Sequence, residues 1–68
     1  MKREQFLRLV KRLSKERGLD YDWIKGEGKG SHGTVYVGKE KQIVKHGELS
    51  KKYMRIVLKR LGLPPEAV

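Results

Sequence analysis

Histidine is the side chain whose ordinary charge change falls near neutral pH, and this 68-residue chain has two, His32 and His46, and no cysteine. A group of that kind can take a proton from a ribose 2′-hydroxyl or return one to a leaving oxygen, and cations beside it can hold the charge of a phosphorane. His32 closes a glycine-rich stretch, Gly26 to Gly33, in which Lys25, Lys29 and Ser31 supply cations and a hydroxyl, with Lys45 preceding the second histidine. Glycines there let a backbone approach a phosphate closely. Gly28-Lys29-Gly30-Ser31-His32-Gly33 has the spacing of a dinucleotide fingerprint, but that fingerprint must open a helix, and the β-branched run Thr34-Val35-Tyr36-Val37 follows instead. Nor is it a Walker loop, because the lysine, glycine and serine stand in the wrong order. A lone surface histidine is ordinarily inert and such glycines can simply form a mobile loop, so His32 as a catalytic group needs support from its surroundings.

His46 ranks second. A two-residue turn at Lys39 and Glu40 would set Val37 opposite Gln42, Val35 opposite Val44 and Gly33 opposite His46. Directly opposed residues share a face, so His46 would point with the valines, and His32 would point with Thr34 and Tyr36. On that reading His46 is more a structural residue than half of an acid/base pair. Tyr36, on the face assigned to His32, could stack on a base or donate to a phosphate; otherwise it is ordinary sheet surface.

The elements that must position these groups follow from periodicity. From Lys2 to Arg17, Phe6, Leu9, Val10 and Leu13 recur at three- and four-residue intervals with Leu7 at the margin, an amphipathic helix that Gly18 ends and Leu19 folds back upon. Glu4 with Arg8 and Arg12 with Glu16 have helical pair spacing on its outer side. Tyr21, Trp23 and Ile24 read as a short strand, Thr34 to Val37 as a second, and Gln42 to Lys45 as a third. Ser50 is the N-cap of a second helix whose Met54, Val57, Leu58 and Leu61 share one side, flanked by Tyr53 and Ile56, and which Gly62 and Pro64-Pro65 terminate. On its far side Lys52, Arg55 and Lys59 form a like-charged stripe that is either a solvated face or a phosphate-contacting ridge. The expected fold is α+β, in the order α-β-β-β-α, with two helices on one face of a three-stranded antiparallel sheet, and residues 1–68 form one domain.

Charge narrows the choice of partner. The 17 Lys and Arg outnumber 8 Asp and Glu, giving +9, and the basic residues are spread along the whole chain. A field of that sign recruits polyanions by counterion release, so RNA is the first expected partner and an acidic protein the second. A domain this small buries only about 60% of its unfolded surface, which leaves no room for a large cofactor, and none is expected. Two histidines without cysteine do not complete a tetrahedral zinc site, so no metal is expected either. The longest apolar run, Ile56-Val57-Leu58, is far too short for a membrane helix or a signal peptide, and a cytoplasmic location is expected.

Three segments resemble the HicA-type toxins, small messenger-RNA-cleaving members of toxin–antitoxin pairs. Lys29-Gly30-Ser31-His32-Gly33 before a strand is similar to that family's Gly-Ser-His signature, although many members carry a histidine where Gly33 stands. Val44-Lys45-His46-Gly47-Glu48-Leu49 resembles the segment leading into the last helix, and Met54 to Leu63 resembles the closing helix with its Leu-Gly-hydrophobic ending. The resemblance spans Gly30 to Leu63. It implies a fold like a double-stranded-RNA-binding domain, metal-independent RNA cleavage with an essential histidine that falls on His32, and neutralisation by a HicB-type antitoxin. A non-catalytic RNA-binding module of the same fold, or a basic protein-interaction module, would share most of these features.

Overall fold

The hydrophobic stripe of the first helix closes over a small sheet. The structure is a computed structural model that describes residues 1–26 and 32–68. Helix α1 spans Arg3–Glu16, strands β1 Tyr21–Lys25, β2 Gly33–Val37 and β3 Glu40–Val44 follow, and helix α2 covers Lys51–Arg60 before a 3₁₀ turn at Pro65–Ala67. The order is α-β-β-β-α, as the periodicity requires, and the sheet is antiparallel in the order β1-β2-β3. Phe6, Val10 and Leu13 of α1 and Met54, Val57 and Leu58 of α2 share one core with Val35, Val37 and Val44 of the sheet. Both helices therefore cover the same sheet face. Leu49, Leu61 and Leu63 complete the core.

Local chemistry sets the helix ends. Ser50 Oγ accepts a hydrogen bond from the Tyr53 amide at 3.1 Å, the N-cap expected of a serine there. Both helices finish in the same way. Gly18, at φ +67°, and Gly62, at φ +76°, let the following leucine amide reach back, Leu19 to the Ser14 carbonyl and Leu63 to the Leu58 carbonyl, each at 2.9 Å. Leu63 is buried by that fold-back, whereas Leu19 stays 38% exposed. On the solvent side of α1, Arg12 and Glu16 meet at 3.9 Å.

The β2–β3 hairpin differs from the expected register. Its turn is Gly38 and Lys39, not Lys39 and Glu40, so Val37 pairs with Glu40, Val35 with Gln42, and Gly33 with Val44. The reason is Gly38, at φ +58° with Lys39 outside the left-handed region: the primed turn that needs positive φ only at its first central position calls for glycine there, inside the turn rather than beside it. The shift is two residues, which preserves parity. Val35, Val37 and Val44 consequently still face the helices, though Val35 and Val44 are no longer directly opposed. His46 is likewise not opposite Gly33; Val44 takes that place and His46 lies past the end of β3.

Candidate functional site

Lys25, Gly33 and Val44 form the last paired row across the three strands. One step beyond, the Gly26 amide donates to the His32 carbonyl at 3.0 Å, prolonging the β1–β2 ladder and fixing the backbone from which the exposed His32 side chain projects. Lys45 continues β3 at the same end. Lys25, His32 and Lys45 are thus brought to one end of the sheet, and all three are exposed to solvent. Lys29 and Ser31, expected to join them, lie outside the described residues.

Trp23 roofs this row. It shares the core face of β1 with Lys25 and pairs with Val35, and its six-membered ring leans over Gly33 so closely that a Cβ there would collide with Cζ2 and Cη2. Gly33 therefore has a packing role: the space that a side chain at this position would need is occupied by the indole. The guanidinium carbon of Arg3 stands 5.1 Å from the Trp23 ring centroid, and Arg3 is only 6% exposed. Sequence reasoning missed this pair. Its signal was the spacing Arg3, Phe6, Val10, Leu13, which puts the arginine in phase with the buried stripe of α1.

The segment after β3 is strapped to the start of α1. Arg3 N donates to the Gly47 carbonyl at 3.2 Å, Leu49 N donates to the Met1 carbonyl at 2.9 Å, and Lys2 forms a bridge with Glu48. The Met1 ammonium also meets the Glu48 carboxylate, which its hydrogen bond holds below the ordinary carboxylate range. The Glu4 carboxyl is lowered chiefly by a hydrogen bond from its own backbone amide, with Arg3 and His46 adding favourable charge. His46, exposed, thus sits within the field of the α1 N-terminus rather than on the sheet.

Tyr53 holds the other side. Its hydroxyl donates to the Ile43 carbonyl at 3.3 Å and accepts from the Lys45 amide at 3.2 Å, while the Lys45 ammonium stands 5.0 Å from the ring centroid. A residue read from sequence as a mere flank of α2 is the tie between α2 and the end of β3.

The remaining candidates fall elsewhere. Tyr36 is half-buried on the outer sheet face with Thr34, as parity requires. Four residues of strand put its backbone about 13 Å from that of His32, too far for both to act on one atom. Lys52, Arg55 and Lys59 lie exposed on α2 and take no part in the His32 row; Arg55 Nη2 donates to the Val68 carbonyl at 3.2 Å. Among the described residues, no group of three or more histidine, aspartate or glutamate side chains is assembled to hold a metal ion, and no helix is long and apolar enough to cross a membrane. No protein-family model, curated protein or solved structure matches the chain.

Proposed function

We propose that this chain is a small metal-independent endoribonuclease of the HicA type, the toxin half of a toxin–antitoxin pair, with His32 as the general acid or base. The observation that carries the reading is the exposed His32, anchored through its carbonyl to Gly26 at the end of the sheet where β1 ends in Lys25 and Lys45 continues β3. In the reaction, the 2′-hydroxyl of a ribose loses its proton as its oxygen bonds to the adjacent phosphorus. The bond from phosphorus to the 5′-oxygen breaks, and that oxygen takes a proton. His32 performs one of the two transfers and water the other, and Lys25, Lys29 or Lys45 stabilises the negative charge on the phosphorane. RNA is held through phosphates by the net charge of +9. A HicB-type antitoxin is the proposed protein partner and messenger RNA in the cytoplasm the proposed substrate.

The test is cleavage of a mixed-sequence RNA by purified protein and by His32→Ala, with a chelator present and fragment ends mapped. The wild type should leave 2′,3′-cyclic phosphate ends, and the variant should stay folded without cutting. A need for added magnesium, or undiminished cutting by the variant, would overturn the assignment. Binding without cleavage by both proteins would select the non-catalytic RNA-binding module instead.

A further inference from the structure

β3 is an edge strand, and its free edge faces an open groove. The ladder bonds from Gly38 N to the Asp20 carbonyl and from Gly26 N to the His32 carbonyl show that the even-numbered residues of β2 turn their amide groups toward β1. The odd ones therefore serve β3, through Val37–Glu40, Val35–Gln42 and Gly33–Val44. Lys41 and Ile43 accordingly aim their backbone groups away from the sheet. Tyr53 accepts that geometry by bonding the Ile43 carbonyl, which leaves the Ile43 amide and both polar groups of Lys41 along the edge.

Between this edge and α2 runs a groove of about 630 Å³. Ile43 and Ile56, 61% and 43% exposed, form its apolar walls with Thr34 and Tyr53, while Lys41 on the strand and Arg60 on the helix stand at its rim. Among the described residues lining it, none is acidic. An apolar slot beside unsatisfied strand groups is the recognition geometry of β-strand addition. The charge selects the occupant. A second copy would bring another +9 and set lysines against lysines along the edge, the arrangement by which natural edge strands avoid self-pairing. Phosphates would find only the rim, leaving the isoleucines and the strand amides unused.

We propose that the groove between β3 and α2 docks an extended acidic segment of a protein partner, which adds as a fourth strand at Lys41–Ile43. A branched aliphatic side chain of that segment lies between Ile43 and Ile56, and its carboxylates face Lys41 and Arg60. This holds whether or not the chain cuts RNA.

The probe is a capped synthetic octapeptide alternating glutamate with isoleucine or valine, compared with one in which lysine replaces glutamate. Amide hydrogen exchange of the full chain is followed by NMR at saturating peptide. The acidic peptide should slow exchange at Ile43 and Lys41 by on the order of tenfold or more, with the lysine peptide inert. Ile43→Ser and Arg60→Glu should each weaken binding by about tenfold or more, both residues being exposed and outside the core. Three results would each overturn the proposal: no protection at these amides, protection by an oligoribonucleotide in place of the peptide, or protection in the free chain through dimerisation.

Discussion

Gly33 shows how a single absent side chain can decide what a site contains. The indole of Trp23 lies over it, Arg3 stacks on the indole, and His32 precedes it in the chain. An added methyl group has nowhere to go except by moving the ring. Gly33→Ala should therefore destabilise the fold by about 1–3 kcal/mol, the usual cost of overpacking. For a domain of this size that is a Tm lower by roughly 4 °C or more in thermal unfolding. Adding Trp23→Phe should restore part of the loss, because a single six-membered ring is shorter. If Gly33→Ala melts with the wild type, the close packing of Trp23 on Gly33 is wrong. None of this was legible from the glycine itself, which in sequence reads as one more member of a loop. The packing is set by a tryptophan ten residues earlier on a neighbouring strand.

At the level of elements, the two helix endings obey local rules and were readable. Gly18 and Gly62 stand one residue past their C-caps with a leucine behind each, and both adopt the fold-back that this pattern predicts. Gly62→Ala should cost about 1–2 kcal/mol because alanine resists the left-handed backbone. Chemical denaturation, with an unchanged m-value, is the check, and full wild-type stability would refute the conformational argument. The hairpin was less readable. Alternation fixes which face a strand buries and is blind to a slip of two, so the valines were placed on the correct face while their partners were not. Only the rule that the left-handed glycine belongs within the turn separates the two registers. That slip moved His46 past the end of β3 and put Val44 opposite Gly33 in its place.

Over the whole molecule, composition speaks for the field and the fold decides where the field is useful. The charge of +9 is evenly distributed in sequence, yet the chain gathers Lys25, His32 and Lys45 at one sheet end, leaves the α2 stripe to solvent and turns Lys41 and Arg60 toward a groove. Single-stranded RNA that engages about four phosphates should bind with a log–log salt slope near −3. Fluorescence-free measurements such as filter binding across a salt series give that slope directly, and a flat dependence would contradict phosphate-led binding. The core and element order were legible because they rest on periodic apolar residues. The Arg3–Trp23 stack and the Tyr53 tie were not, since each joins residues through contacts that no local pattern encodes.

Trp23 is the chain's single tryptophan, and its ring rests against the residue that follows His32. The protein therefore carries its own optical reporter at the proposed reaction centre. Indole emission senses the solvent and charges around the ring, so a movement of the backbone at Gly33 or displacement of Arg3 would each be visible in unlabelled protein, one residue along the chain from His32.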